Sequence, residues 1–185
     1  MVVVHSLMPA LGTKASDFSL SNPDGQVVTL KDYEKKPLLI LFICNHCPYV
    51  LQIASKLSFL EDVAKKNGIS CIAISSNNII EYPEDSPEKM SLFAKKYKFG
   101  FPYLFDSTQE VAKAFRAECT PDFFLYDKNH TLYYRGQMDS SRPGSKEEVT
   151  GKDLLEAFSS LSKGETPPKN QKPSVGCNIK WFTKT

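Results

Sequence analysis

Two strongly apolar runs mark the centre of the chain. Residues Leu38 to Cys44 are apolar throughout, and Ile69 to Ser75 reads Ile-Ser-Cys-Ile-Ala-Ile-Ser. A short run that is apolar at nearly every position is typical of a strand covered on both faces by helices. The two segments therefore predict buried strands of a central sheet.

A long amphipathic helix is predicted between these strands. From Pro48 onward, apolar residues recur every three or four positions, which is the spacing of one helix face. Two lysines, an asparagine and Gly68 follow the last apolar position, and basic residues before a glycine are typical of a helix C-terminus. The apolar positions are Val50, Ile53, Ala54, Leu57, Leu60 and Ala64.

The remaining pattern alternates strands and helices. Asn22-Pro23 and Asp24-Gly25 are turn formers, so Asp17–Leu20 and Gln26–Leu30 are predicted to form a hairpin. Strand–helix alternation predicts a mostly parallel sheet with helices on both faces, and a closing hairpin adds an antiparallel edge. Further helices are predicted from Pro87, over Thr108–Ala117 and from Thr150, and further strands over Phe101–Phe105, Phe123–Tyr126 and Thr131–Tyr134.

Length and composition predict one main domain. The chain has 185 residues, which corresponds to about one domain at roughly 150 residues each. We assign residues 1–162 to this domain and residues 163–185 to a tail rich in proline and lysine. The apolar cluster Gly-Cys-Asn-Ile-Lys-Trp at residues 176–181 predicts that the tail docks back on the domain.

Charge and hydropathy exclude two classes of partner. The formal net charge is +2 and no block of basic residues stands out, so nucleic-acid binding is not expected. The longest apolar run is much shorter than the roughly 20 residues of a membrane helix, so membrane insertion is not expected either. The first residues lack the basic region of a signal peptide, which predicts a cytoplasmic protein.

The candidate chemistry lies where the first central strand meets the long helix. The chain has five cysteines, and Cys47 is predicted to cap the helix with Pro48 as its first residue. Unpaired N–H groups and the helix dipole lower the pKa of a thiol there, which makes the cysteine reactive. Cys44 can form a disulfide with Cys47 if the loop turns back, or is a small buried apolar residue. His46 supplies positive charge or a proton, or is a solvated loop residue.

A second candidate segment is Cys119-Thr120-Pro121, just before a predicted strand. An X-Pro bond in this setting can be cis. Cys119 is either a second resolving thiol or a packing residue, and whether the tail brings Cys177 to Cys47 stays open. Cys71 lies in a buried strand and is expected to be inert. Arg135 and Arg142 are candidates for anion contacts, with surface salt bridges as the alternative.

The combined motifs resemble the thioredoxin superfamily, and within it a peroxiredoxin-like branch of the AhpC/TSA type. The resemblance extends from about residue 12 to residue 182. It implies a mixed sheet flanked by helices, a peroxiredoxin-like N-terminal β-hairpin, and a cis Pro121 opposite the reactive Cys47. It rests on the leader 12–20 and on Cys-Asn-His-Cys-Pro-Tyr-Val (44–50), Cys-Thr-Pro-Asp-Phe-Phe-Leu (119–125), Arg-Gly-Gln-Met-Asp (135–139) and Gly-Cys-Asn-Ile-Lys-Trp (176–181).

The resemblance also implies roles for the cysteines. Cys47 matches the attacking cysteine of both families, whereas the second thioredoxin cysteine is replaced by Val50, so Cys44 becomes the resolving thiol. Peroxiredoxins carry a threonine where this chain has Cys44 and a proline where it has Ile40. Their arginine near the later strand is replaced by Pro121 or Asp122. The usual groups that polarise a peroxide are therefore missing.

Four functions remain open at this point. The first is a thiol–disulfide oxidoreductase acting on a protein or small-molecule disulfide, with a thiol electron donor and no cofactor. The second is a thiol peroxidase in which Cys47 becomes a sulfenic acid. The third is a zinc or iron–sulfur module, and the fourth a redox-inert binding module. The groups that could hold a metal are Cys44, Cys47, Cys119, Cys177 and His46.

Overall fold

The computed structural model describes residues 2–183. Its helices are α1 (Pro48–Lys66), α2 (Pro87–Lys96), α3 (Glu110–Phe115) and α4 (Lys152–Ser162), with 3-10 turns at Leu30–Tyr33 and Pro83–Asp85. Its strands are β1 (Val3–His5), β2 (Ser19–Ser21), β3 (Val27–Thr29), β4 (Leu38–Phe42), β5 (Ser70–Ser75), β6 (Tyr103–Phe105), β7 (Cys119–Thr120), β8 (Asp122–Tyr126), β9 (Leu132–Gly136) and β10 (Val175–Asn178).

The larger sheet is mixed and contains the hairpin β2–β3. Within the described residues its order is β3-β2-β6-β5-β4-β8-β9. The pairs β4–β5 and β5–β6 are parallel, whereas β8 runs antiparallel to β4, and β2 runs antiparallel to β6. The expectation of a mostly parallel sheet was therefore wrong. The parallel centre consists of β4, β5 and β6. The hairpin strands that flank it, β2 and β8, both run antiparallel to their neighbours in it.

Strand β4 divides the apolar core into two layers. Every residue of β4 is buried, and successive side chains of a strand point to opposite faces. Leu39 and Leu41 accordingly pack with the apolar faces of α1, α2 and α4. Leu38 and Ile40 pack on the other face with α3 and the hairpin. The helices therefore hold the end of β4, and the cysteines that follow it, from both sides.

Helix α3 is shorter than its apolar spacing predicts. The residues that flank it, Gln109 and Arg116, have φ angles of +64° and +57°, in the left-handed region. At its start, the carboxylate of buried Asp106 accepts the N–H of Ala112 at 2.9 Å. The Asp106 side chain thus supplies a hydrogen bond that a backbone carbonyl would supply in a longer helix. The spacing of apolar residues does not reveal this substitution.

A small second sheet joins the two ends of the described chain. Its order is β1-β10-β7, and both pairs are antiparallel. The tail segment therefore contributes β10, which lies between the N-terminal strand and β7. These three strands were not expected, because each is too short for a periodic pattern. None of the helices described for residues 2–183 has both the length and the apolar character needed to cross a bilayer.

Candidate active site

Cys47 lies at the N-terminus of the long helix, as its position before Pro48 predicts. Its backbone is extended, with φ −68° and ψ +124°, and its carbonyl accepts the first helical hydrogen bond from Leu51 at 2.9 Å. The side chain is 0% exposed. The sulfur is thus held at the positive end of α1, where the dipole and the first N–H groups favour an anion.

The loop around the cis Thr120–Pro121 peptide borders two of the thiols. The peptide bond is cis. In its thiol form Cys47 donates to the Thr120 carbonyl at 3.1 Å, and the sulfur of Cys44 lies 3.3 Å from the Thr120 hydroxyl. Thr120 therefore contacts Cys47 through its backbone and Cys44 through its side chain, which places the two candidate segments of the sequence in one site.

Strand β10 adds a third thiol to this site. Cys177 pairs directly with Thr120 in the antiparallel register. Hydrogen bonds from Cys177, Cys44 and the Val50 N–H lower the pKa of Cys47 well below that of an ordinary thiol. Burial and the Thr120 carbonyl oppose this shift, because both favour the neutral thiol. The hydrogen bonds donated to Cys47 have the larger effect on its pKa, so Cys47 is the most readily ionised of the clustered thiols.

The two neighbouring thiols have the opposite tendency. The pKa of Cys44 and that of Cys177 are both raised, first because each donates a hydrogen bond to Cys47 and then because each is buried. One thiolate flanked by two protonated thiols is the arrangement that disulfide exchange needs. No disulfide is present among the cysteines of the described residues.

His46 is held by a buried carboxylate. Its Nδ1 lies 2.7 Å from Asp85, which is fully buried, and its ring stacks on Tyr82 at 5.4 Å between ring centres. The hydrogen bond to Asp85 raises the pKa of His46. This arrangement fits the positively charged or proton-supplying role of His46 better than that of a solvated loop residue.

Asp85 is a site residue that sequence reasoning missed. Besides the His46 ring, its carboxylate accepts the Asn45 N–H and the Asn77 side-chain amide, each at 2.7 Å. Asn77 in turn accepts the Lys180 N–H at 2.8 Å. Asp85 therefore ties the cysteine loop to the tail. In the sequence it stands in the polar stretch 77–85, which predicts only a loop.

Tyr103 is a buried aromatic residue of the core that also contacts the cysteine loop. It is buried, and its hydroxyl donates to the Asn45 side chain at 3.1 Å. Burial raises its pKa well above the ordinary value. The hydroxyl thus supports the loop as a neutral donor.

Cys119 and Cys71 stand apart from the three-thiol cluster. The sulfur of Cys119 has the Pro121 carbonyl as its hydrogen-bond partner, at 3.7 Å, and burial raises its pKa. Burial likewise raises the pKa of Cys71 to about 12. These surroundings favour packing roles for both residues, since neither environment stabilises a thiolate.

The two arginine candidates bind protein groups. Arg135 donates to the Pro9 carbonyl at 2.8 Å and to the Gln171 side chain at 2.7 Å. Arg142 donates to the carbonyls of Asp139 and Ser141, at 2.9 and 2.6 Å. The Arg135 bonds join distant chain segments, whereas the Arg142 bonds stay within its own loop. Neither the anion-contact nor the salt-bridge interpretation anticipated these partners.

The possible metal ligands differ from the set that the sequence suggests. Among the described residues, the ligand atoms that converge within 4.8 Å belong to Cys44, His46 and Asp85. A tetrahedral zinc site with Zn–S distances of about 2.3 Å needs all its sulfurs close together, and the four cysteines do not form such a group. In the converging set, the Asp85 carboxylate already accepts three hydrogen bonds. The arrangement of these residues therefore suits the anchoring of His46 by Asp85 better than the binding of a metal ion.

The fold and the thiol cluster define a thioredoxin-fold protein with cysteines at the start of its long helix. A secreted disulfide oxidoreductase of Mycobacterium tuberculosis superposes with a TM-score of 0.60 at 19% identity, covering 78% of this chain and 96% of that chain. A thioredoxin family protein of Chlorobium tepidum superposes with a TM-score of 0.64 at 14% identity, covering 83% of this chain and 98% of that chain, and both likenesses show the fold alone. The family model described as AhpC/TSA matches residues 11–135. The chain belongs to the AhpC/TSA family, which confirms the resemblance and the fold class expected from the sequence.

Individual relatives include one of matching length. The crystal structure of an uncharacterized conserved protein from Geobacillus kaustophilus has a TM-score of 0.96 and 45% identity, and covers 100% of this chain and 99% of that chain. The thiol-disulfide oxidoreductase ResA of Geobacillus kaustophilus is 29% identical over 65% of both chains. Peroxiredoxin Bcp of Escherichia coli K12 is 32% identical over 66% of this chain and 76% of its own length. The chain thus spans about 65% of the length of ResA.

Proposed function

We propose that the protein is a thiol–disulfide oxidoreductase with Cys47 as its nucleophile. The observation that carries this proposal is the hydrogen bonding of Cys47 by two protonated thiols and a helix N–H. A thiolate stabilised in this way attacks a disulfide, and a neighbouring thiol then releases the product. The AhpC/TSA family membership and the similarity to ResA support this chemistry.

His46 and Asp85 have a supporting role in this proposal. Asp85 accepts the Nδ1–H of His46, and this hydrogen bond raises the pKa of the imidazole, which favours its protonated form. A positive charge beside Cys47 stabilises its thiolate, and it likewise stabilises the negative charge that develops on a leaving sulfur. His46 is therefore a positioning and charge-supplying residue.

The substrates in this proposal are disulfides of small molecules or proteins, and the reducing equivalents come from a thiol donor. A cytoplasmic location remains a prediction from the sequence, as does the boundary between a domain at 1–162 and a tail at 163–185. Separating cell fractions and probing each for the native chain tests the location. Limited proteolysis near residue 163 tests the boundary.

A thiol peroxidase is the second candidate, and the complete burial of Cys47 favours it. Hydrogen peroxide is hardly larger than water and therefore reaches a buried sulfur with less rearrangement of the site than a larger disulfide requires. The similarity to peroxiredoxin Bcp supports the same candidate. Against it stand Cys44 and Ile40 in place of the usual threonine and proline. The Thr120 hydroxyl lies beside Cys44 and is the hydroxyl donor nearest this chemistry.

One experiment separates the two candidates. The fully reduced protein is mixed at neutral pH with hydrogen peroxide or with glutathione disulfide, and the loss of thiols is followed for each. Cys119→Ser is the matched control, because Cys119 is buried nearby and its sulfur has the Pro121 carbonyl as its hydrogen-bond partner. We expect glutathione disulfide to oxidise the wild type and the control but not Cys47→Ser. Equal oxidation of Cys47→Ser contradicts both candidates, and a peroxide rate far above that of a free thiol favours the peroxidase.

A further inference from the structure

Strand β10 covers the nucleophile and is anchored at both ends. On one side Ser174 donates to the Ser6 hydroxyl at 2.9 Å, and Ser6 donates back to the Ser174 carbonyl at 3.0 Å. On the other side Ile179 donates to the Glu118 carbonyl at 2.9 Å, and the Ile179 side chain is buried in the core. The segment that contains Cys177 is therefore a fixed part of the site.

Gly176 allows this strand to approach the cis-proline loop closely. A Cβ atom at residue 176 would lie 2.1 Å from the Thr120 carbonyl oxygen and 2.7 Å from the Thr120 carbonyl carbon. Both are backbone atoms, so the loop cannot give way as a flexible side chain can. Only glycine permits the contact, and the contact places the next residue, Cys177, opposite Thr120 and against Cys47.

Cys177 directs two donors at the sulfur of Cys47. Both its thiol and its backbone N–H hydrogen-bond Cys47. Cys44 directs only its thiol at the sulfur of Cys47. The sulfur of Cys44 is also in contact with the Thr120 hydroxyl. The loop that carries Cys44 is further tied to Asp85 through Asn45 at 2.7 Å. Strand β10 thus holds Cys177 against the sulfur of Cys47 with two hydrogen-bond donors, where Cys44 supplies one.

We propose that Cys177, rather than Cys44, is the thiol that resolves Cys47, so that the oxidised site is a Cys47–Cys177 disulfide. This inference rests on the proposed function, because it names the second thiol of the same reaction. It revises the role that the family resemblance implies for Cys44, which becomes a donor that stabilises the Cys47 thiolate.

The reaction balances with a small disulfide as oxidant. The Cys47 thiolate attacks one sulfur of glutathione disulfide, the S–S bond breaks, and one glutathione leaves and takes up a proton. The thiol of Cys177 then loses its proton, its sulfur attacks that of Cys47, and the second glutathione leaves as a thiol. Two protein thiols are oxidised, and one glutathione disulfide is reduced to two thiols.

Trapping the intermediate tests the assignment. Reduced wild type, Cys177→Ser, Cys44→Ser and the control Cys119→Ser are mixed with glutathione disulfide, quenched with acid at intervals, alkylated and mapped by peptide mass spectrometry. We expect wild type, Cys44→Ser and the control to yield a peptide linked through residues 47 and 177. We expect Cys177→Ser to retain glutathione on Cys47, with its release slowed at least tenfold.

The opposite pattern overturns the assignment. A 44–47 linked peptide in the wild type, or retention of glutathione in Cys44→Ser with normal release in Cys177→Ser, identifies Cys44 as the resolving thiol. Cys177→Ala is mapped in parallel, and the melting temperature of each variant shows that it is folded. Failure of the proposed function is a separate result, because it requires Cys47→Ser to react with glutathione disulfide as fast as the wild type.

Discussion

Replacing Gly176 by alanine tests how closely β10 must pack on the cis-proline loop. The added methyl would lie 2.1 Å from the Thr120 carbonyl oxygen, whereas ordinary contact begins at 3.4 Å, so the two backbones must separate by about 1.3 Å. Forcing a methyl group into a packed interior costs roughly 1–3 kcal/mol. In a chain of this size each kcal/mol corresponds to about 2–4 °C in melting temperature. We therefore expect Gly176→Ala to melt roughly 2–12 °C below the wild type.

The same displacement moves Cys177 away from Cys47. Hydrogen bonds to a charged group contribute about 1.5–3 kcal/mol, so losing one favours the neutral Cys47 thiol by roughly ten- to hundredfold. We expect resolution of the Cys47–glutathione intermediate to slow in this variant. The assays are thermal unfolding and the same quench-and-map experiment.

Gly100→Ala is the matched control for this substitution. Its added methyl meets the end of a side chain, the Glu61 carboxylate, rather than backbone, and Gly100 is distant in sequence from Cys44, Cys47 and Cys177. We expect a smaller change in melting temperature and normal resolution of the intermediate. An unchanged melting temperature and unchanged resolution in Gly176→Ala would refute the argument that this glycine seats the strand.

Three further substitutions test individual groups. Burial raises the pKa of Asp122 well above 3.8, so ionising this carboxyl is less favourable in the folded than in the unfolded state. Asp122→Asn should therefore be more stable than the wild type in urea unfolding at neutral pH. This advantage should vanish below pH 3.8, where the carboxyl is protonated in both states. The pKa of His46 is raised above 6.5, so its pairing with Asp85 stabilises the fold most below that pH and less as pH rises through the raised pKa. His46→Asn should therefore lower the melting temperature more in acidic than in alkaline buffer, and equal losses would contradict the pairing. Thr120→Val removes the hydroxyl beside Cys44 and should cost about 0.5–1.5 kcal/mol in urea unfolding, while resolution of the glutathione intermediate stays within severalfold of the wild type.

The local parts of the site could be predicted from the sequence. Helix α1 begins at Pro48 because the strand before it, the cap residue and the apolar spacing after it all agree. That position predicts a lowered pKa for the Cys47 thiol, but the largest causes of the shift are the hydrogen bonds from Cys177 and Cys44, which the helix position does not supply. The pairing of Cys177 with Thr120 could not be predicted, because it joins two short strands that are distant in sequence and have no periodicity of their own. Asp85 was missed for a similar reason, since its side-chain partners come from two other segments, Asn45 and His46 in the cysteine loop and Asn77 after β5.

The placement of β10 between β1 and β7 also determines when the site is completed during synthesis. Cys44, Cys47 and the cis-proline loop leave the ribosome well before Cys177. Until residues 174–180 emerge, the nucleophile lacks both its cover and its third thiol, and the nascent chain presents Cys47 to the thiols and oxidants of the cell. Under the proposed assignment of Cys177, glutathione acquired at Cys47 in this interval would be released once β10 docks and Cys177 attacks. The last strand would then also reverse oxidation acquired while the chain is being made.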